Sequence, residues 1–507
     1  MKSNVLFKTT SGNKYLYSPK VNQFLLIHPA LHYLIKLHNQ GVNLNCWLAD
    51  LKSDKVEIAS QQTFTKKEMH YYYEKFRLLA SKGYFSEINN DKRLSGRITG
   101  NQIYEILANV PQVLFEVTDR CNLCCVYCGY GKYYEDYDKR ENKDLDIGKA
   151  FTLLHYLLKL WNSPLNASHH IKINIGFYGG EPLLNFSFIK KMVKYIKGLK
   201  PVHNTFSFGM TTNGLLLGKY MDFLVENEFK LLISLDGNKT HNGYRVFPDG
   251  NESYDRVQKK ILALKEKYPD FFNRHVDFNT VLHNKNSISG IYRYFKKNFN
   301  KMPIISELST DGVKETKKEE FWNIYKDAIR DLKTTTERPH IEDEMFLNLP
   351  NIQSLNNVIR RYSGYSFSDY NEFLCPSQDR KRIPTGTCLP FSKRLYLTIN
   401  GKLLPCERIG HQYALGKVDK GHVEIDGNEI ANKMNTYFDK MRNRCSMCYD
   451  SESCIRCIFS LEPERKDPIC GRFMNINDFT QYLSDQISKL EEKPHYYSKI
   501  MEKVVTL

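Results

Sequence analysis

No apolar run in the 507 residues approaches the ~18 residues a membrane-crossing helix needs, and the opening MKSNVLFKTTSGNKYLY is too polar for a secretory signal. Homopolymer tracts, zinc-finger spacing and RNA-recognition signatures are also missing, so nothing points to nucleic acid. Glycine (28) and proline (18) are not in excess, and 41% hydrophobic with 26% charged residues excludes disorder, collagen or a coiled coil as a description of the whole chain. At ~100 to 200 residues per domain the length allows roughly two to four domains, each with its own core. The expected location is the cytoplasm, where thiols stay reduced.

Lys and Arg number 73 against 57 Asp and Glu, a formal charge of +16. The positive residues are scattered, and the densest stretches, KKMVKYIKGLK from Lys190 and KKILALKEK from Lys259, have the spacing of solvated helix faces. They imply solubility and a general attraction to acidic partners rather than a particular site.

The 13 cysteines are placed far less evenly. Cys46 stands alone, Cys121, Cys124, Cys125 and Cys128 crowd together, and the remaining eight fall between Cys375 and Cys470. In a reducing compartment such clusters read as metal or redox sites rather than disulfides.

Residues 1–100 carry no chemical motif but outline a small α/β unit. Leu6–Lys8 and Lys14–Tyr17 flank the turn Ser11-Gly12-Asn13; a helix fits Pro29–Leu37, a short strand Val56–Ala59, and a helix Thr65–Ser81 with Met69, Tyr72, Tyr73, Phe76 and Leu79 at helical spacing. Gly83 stops that helix, and Tyr84-Phe85 starts an extended end. The order suits a winged-helix-like domain.

Over residues 111–310, strand patterns at Val113–Thr118, Ile171–Tyr178, Thr205–Thr211, Lys230–Leu235, Val276–Leu282 and Ile304–Leu308 alternate with helical stretches. Repeated βα units predict an α/β fold, a partial (β/α)6 TIM-like barrel with functional groups at the carboxyl ends of its strands. Residues 311–374 read as a helical bridge, 375–475 as a cysteine-rich domain and 476–507 as a C-terminal helix.

Cys121-Asn-Leu-Cys124-Cys125-Val-Tyr127-Cys128 directly follows the first barrel strand. Cys121, Cys125 and Cys128 give CxxxCxxC. A structural zinc site wants four ligands and no histidine lies nearby, whereas three thiolates hold three irons of a 4Fe-4S cube and leave the fourth open. Gly179-Gly180-Glu181-Pro182 ends the second strand, Thr212-Asn213-Gly214 the third and Ser234-Leu235-Asp236-Gly237 the fourth. In this order and placement the elements resemble the radical SAM superfamily, with Tyr127 as the aromatic of its cysteine signature.

The resemblance implies that S-adenosylmethionine (SAM) binds the open iron of a [4Fe-4S] cluster held by Cys121, Cys125 and Cys128. One electron, from a donor such as flavodoxin or ferredoxin, then cleaves it to methionine and a 5'-deoxyadenosyl radical. It also implies that Tyr127, Gly179, Gly180, Glu181, Pro182, Asn213 and Ser234 line the cofactor. Glu181 is suited to accept from its ammonium, while the glycines allow close approach. Arg256 is the closest match for the arginine that pairs with the SAM carboxylate, with Arg245 the alternative. Cys124 is then a spare thiol.

The later cysteines run Cys388, Gly401, Cys406, Cys445-x2-Cys448-x5-Cys454-x2-Cys457 and Cys470, which resembles the SPASM motif of radical SAM peptide modifiers. With Cys375 upstream, the resemblance implies two auxiliary [4Fe-4S] clusters, the first on Cys375, Cys388, Cys406 and Cys457, the second on Cys445, Cys448, Cys454 and Cys470. Taken alone, Cys445 to Cys457 also suits a zinc knuckle. Glu407 occupies the place where similar sulfatase maturases carry a general base; a surface carboxylate paired with Arg408 is the plainer reading.

These features together predict a peptide maturase that crosslinks a ribosomally made precursor, through a thioether or carbon-carbon bond, after the N-terminal unit grips the leader by strand addition. A formylglycine-forming sulfatase maturase is the rival enzyme, and a DNA-binding iron-sulfur sensor the non-enzymatic one.

Overall fold

A computed structural model describes residues 2–58, 62–88, 93–167, 172–346, 349–362 and 381–505; Cys375 lies outside them. The chain opens with an antiparallel sheet of β1 (Val5–Lys8), β2 (Lys14–Ser18) and β3 (Gln23–Leu26) in that order. Gly12, at φ 90°, makes the expected turn between β1 and β2. Helices Pro29–Asn39 and Leu44–Ala49 follow, then the hairpin β4 (Lys55–Ile58) and β5 (Gln62–Thr65), and helix Lys66–Ser81. Thr65 and Glu68 cap that last helix reciprocally, and its Met69 and Phe76 pack into a core with Leu34 and Ile35.

The expected extended end at Tyr84-Phe85 does not form. Tyr84 enters the small core, and the chain then pairs Ile88 with Lys2. Strands β3 and β5 were not expected, because four-residue segments are too short for a period to declare itself.

The central strands β6 (Gln112–Thr118), β7 (Lys172–Gly179), β8 (Thr205–Thr212), β9 (Lys230–Ser234), β10 (Val276–Leu282) and β11 (Ile304–Glu307) pair in parallel, each with its sequence neighbour. β6 is buried from Val113 to Thr118, as expected of a strand covered on both faces. The covering helices are amphipathic: Phe186–Gly198 turns Phe188, Ile189, Met192, Val193 and Ile196 inward.

The sheet does not end at β6. β12 (Leu395–Leu397) adds parallel to it, and β13 (Lys402–Leu404), β14 (Gly416–Asp419) and β15 (His422–Glu424) continue antiparallel, giving ten strands. The cysteine-rich segment is thus built onto the barrel edge and shares its core through the fully buried Tyr396, Leu397 and Leu403. Helices Lys318–Ile324, Ala328–Lys333, Arg338–Glu344 and Pro350–Tyr362 occupy the bridge.

The C-terminal stretch is two helices, Ile476–Glu492 and His495–Val505, rather than one, because Pro494 cannot continue the first. Val5, Phe7 and Tyr17 pack with Val358, Tyr362, Phe479 and Leu483, so the N-terminal sheet and the C-terminal helix complete one another's core. Among the described residues, no helix is long and apolar enough to cross a membrane.

Candidate active site

The carboxyl end of β6 leads straight into the cysteine loop. Asp119 anchors that loop by accepting from the backbone N–H of Glu141 (2.6 Å) and Lys143 (2.7 Å), and the N–H groups of Cys124 and Val126 donate to the carbonyls of Val246 and Tyr244. Cys121, Cys125 and Cys128 are half-buried, whereas Cys124 is exposed. Leu123 N lies 3.4 Å and Asn213 Nδ2 3.9 Å from Cys121 Sγ, and Arg140 Nη2 lies 3.5 Å from Cys128 Sγ. Donors aimed at sulfur suit thiolates. Burial raises Cys121 and pushes Cys125 up to about 12, the latter against the pull of Arg245, so these thiols keep their protons unless a metal displaces them. Donor type, spacing and environment therefore fit an iron-sulfur cluster.

The end of β7 is locked onto this loop. Gly180 N donates to Thr118 O and Glu181 N to Arg120 O, both at 2.8 Å. A Cβ on Gly179 would meet Thr118 O at 2.3 Å, and one on Gly180 would meet Arg120 O at 2.0 Å. The glycines are thus required for backbone to approach backbone at this junction. Glu181 lies at the centre of this junction. Its side chain is fully buried, accepting from Leu183 N (3.1 Å), Thr212 Oγ1 (2.8 Å) and Asn213 N (2.8 Å), so it ties the second motif to the third. Burial raises it to about 7, with those three donors opposing. Pro182 is buried and starts the short 3-10 turn that follows.

Asn213 reaches the cysteine loop directly, its Nδ2 2.7 Å from Asn122 Oδ1. Ser234 is half-buried at the end of β9. Two residues on, Asp236 has no exposed surface and gathers Arg245 Nε (3.1 Å) and Nη2 (3.2 Å), Val281 N (3.0 Å) and the hydroxyl of Tyr127, with His283 Nε2 at 3.6 Å. Asp236 is held below the usual carboxylate range, chiefly by Arg245, although desolvation pushes the other way. Arg245 is therefore committed to Asp236. Arg256 is exposed, with its guanidinium 4.9 Å from the Phe247 ring, one residue past the Val246 carbonyl that holds the cysteine loop. Of the two arginines it is the one at the surface of the site.

Cys445, Cys448, Cys454 and Cys470 line one cleft together with Arg444, Arg456 and Arg472. Among the described residues no three His, Cys, Asp or Glu groups close on a single-ion position; the four thiols face a shared space instead. Met474 N donates to Cys448 Sγ at 3.4 Å. Cys457 is not among the residues lining that cleft and lies 3.7 Å from Thr387 Oγ1, the residue before Cys388 in the chain. Arg394 feels the charge of both Cys388 and Cys406.

Glu407 is neither an exposed carboxylate nor chiefly a partner of Arg408. Its side chain is 9% exposed, Arg394 Nη1 holds both its oxygens at 2.5 Å, Arg408 Nε is 3.6 Å away, and the Cys406 thiol donates at 3.5 Å.

Between the cysteine loop and the cysteine-rich segment lies a group that the motifs did not reveal. Tyr130 donates to Glu116 on β6, which also accepts from Ile399 N at 3.0 Å; Tyr137 stands 5.1 Å from Tyr130 and 5.2 Å from His411. The only signal in the sequence was the density of tyrosine at Tyr130, Tyr133, Tyr134 and Tyr137.

Residues 115–289 match the radical SAM superfamily. An uncharacterised protein of Methanocaldococcus jannaschii is 33% identical over 178 residues, 35% of this chain and 54% of that protein. The radical SAM cyclopropyl synthase TigE of Paramaledivibacter caminithermalis is 27% identical over 198 residues, 38% of each chain. The chain thus spans about half or less of these relatives' length. The structure of anSMEcpe with bound AdoMet and Kp18Cys peptide superposes with a TM-score of 0.52 at 18% identity, covering 77% of this chain and 99% of that one, which shows a shared fold. A parallel half-barrel whose first loop presents three thiols agrees with that match, and residues 115–289 are a radical SAM domain.

Proposed function

We propose that the chain is a radical SAM peptide maturase that modifies a ribosomally made precursor by thioether or carbon-carbon crosslinking. When bound, SAM and the cluster at Cys121, Cys125 and Cys128 supply a 5'-deoxyadenosyl radical by one-electron cleavage. The protein's own part is positioning. Tyr127 and Asp236 fix the cysteine loop, Glu181 joins the second and third motifs, and Arg256 is placed to meet an anionic group at the loop surface. Glu407, held by Arg394 beside Cys406, is the carboxylate able to accept a substrate proton on the cysteine-rich side. The four-thiol cleft supports a fully ligated auxiliary cluster on Cys445, Cys448, Cys454 and Cys470, and Cys388, Cys406 and Cys457 supply a second.

The observation that carries the peptide reading is the outer edge of β3. Because Ile27 N donates to Lys14 O, alternation turns the N–H groups of Phe24 and Leu26 away from β2, and Leu26 is 65% exposed. An extended leader peptide can pair there, as at other sheet edges. A formylglycine-forming reaction on a Cys or Ser would use the same barrel without that edge. Anaerobic coexpression with short open reading frames neighbouring the gene tests the reading. Loss of a hydrogen pair from a peptide, abolished by Leu26→Pro while SAM cleavage persists, is the expected result. An unmodified peptide under reducing conditions with SAM present would refute it.

A further inference from the structure

Lys2 is 3% exposed and far from every motif in sequence, yet its Nζ donates to Ser451 Oγ at 2.6 Å and lies 6.0 Å from the centre of the Tyr449 ring. Ser3 N donates to the Tyr449 hydroxyl at 3.0 Å, while the backbone of Lys2 pairs both ways with Ile88 at 3.0 and 3.1 Å. Tyr449 and Ser451 belong to the short turn Tyr449–Glu452 that links Cys448 to Cys454. The charges acting on the ammonium are those of Glu452, Cys448, Asp450 and Cys445. Two of these already have partners: Asp450 takes Tyr362 and Ser453, and Glu452 takes Arg382. Burial lowers the Lys2 ammonium to about 8 with those four charges opposing, so below that pH the N-terminal unit delivers a buried cation into the loop of the four-thiol cleft and pins it there through backbone pairing.

We propose that Lys2 is a positioning residue of the four-thiol site, whose charge favours the more negative, one-electron-reduced state of a cluster held by Cys445, Cys448, Cys454 and Cys470. Docking of the N-terminal unit thereby sets how readily that cluster accepts an electron. The physical basis is that the potential of a thiolate-held cluster follows the net charge and hydrogen bonds around it. A cation in a desolvated pocket acts on its neighbours more strongly than one in water. The inference rests on the reading of these four cysteines as a cluster site.

The test is a redox titration of the full-length, cluster-loaded enzyme against dithionite, followed by electron paramagnetic resonance, for wild type, Lys2→Met, Lys2→Gln and Lys2→Arg. At a fixed potential, Lys2→Met and Lys2→Gln should raise the oxidised-to-reduced ratio of this cluster about tenfold, ~59 mV for a one-electron couple. Lys2→Arg should stay near wild type. A ratio unmoved in Lys2→Met, or moved equally in Lys2→Arg, overturns the charge role. An iron content left unchanged when Cys445, Cys448, Cys454 and Cys470 are replaced together by alanine would instead refute the four-thiol reading and the inference with it.

Discussion

Tyr127, between Cys125 and Cys128, donates its hydroxyl to Asp236, a residue 109 positions further along the chain at the end of β9. One bond thereby holds the cysteine loop to the far strands of the half-barrel, and the buried fork of Arg245 holds Asp236 in turn.

Asp236→Asn should destabilise the cofactor-free protein by roughly 3–5 kcal/mol, since it strands the buried Arg245 cation. Tyr127→Phe should cost about 1–3 kcal/mol by leaving one carboxylate acceptor short. The double variant should cost less than the sum, because both act on one network. Chemical denaturation of the four proteins measures this.

Gly180→Ala places its methyl 2.0 Å from Arg120 O and forces the second motif away from the cysteine loop, whereas Gly198→Ala meets nothing within 4 Å. The first should cost about 3 kcal/mol or more and abolish SAM binding. The second, at the end of helix Phe186–Gly198, should be neutral or stabilising by up to ~1 kcal/mol. Melting curves and SAM titration separate them.

Alanine at Cys121, Cys125 or Cys128 should remove about four irons and all SAM cleavage, while Cys124→Ala should leave both intact. Alanine at Cys445, Cys448, Cys454 or Cys470 should also remove about four irons yet preserve SAM cleavage. Iron assay and 5'-deoxyadenosine yield distinguish the two classes.

Glu181 is raised to about 7 in the folded protein, mainly by burial, so the folded state binds its proton more tightly than the unfolded chain does. Its contribution to stability is complete below about 4.5 and is lost as pH rises to about 7, an effect on the order of 3 kcal/mol. In the cofactor-free protein, the stability advantage of wild type over Glu181→Gln should shrink by that order across this window. Urea denaturation at a series of pH values is the measurement.

Deletion of residues 1–100 should cause loss of folded protein whatever the substrate, because it strips Val5, Phe7 and Tyr17 from the core they share with Tyr362 and Phe479. Circular dichroism and solubility report it, which makes Leu26→Pro the cleaner probe of leader binding.

The sequence by itself determined the six parallel strands and the motifs at their ends, because hydrophobic patterns and turn residues of that length are local properties. Cysteine spacing likewise separated two groups of thiols before any fold was known. Tertiary structure alone decided the rest. β12 joins β6 from 282 positions away, as a three-residue strand whose pairing has no local signature. Glu181 and Glu407 read in sequence as ligand and base candidates and Asp236 only as part of a turn, whereas packing gives all three protein partners, since a carboxylate's surroundings depend on which donors the fold brings to it. Lys2 and Tyr449 meet across nearly the whole chain, a contact fixed by two surfaces burying one another rather than by either segment alone.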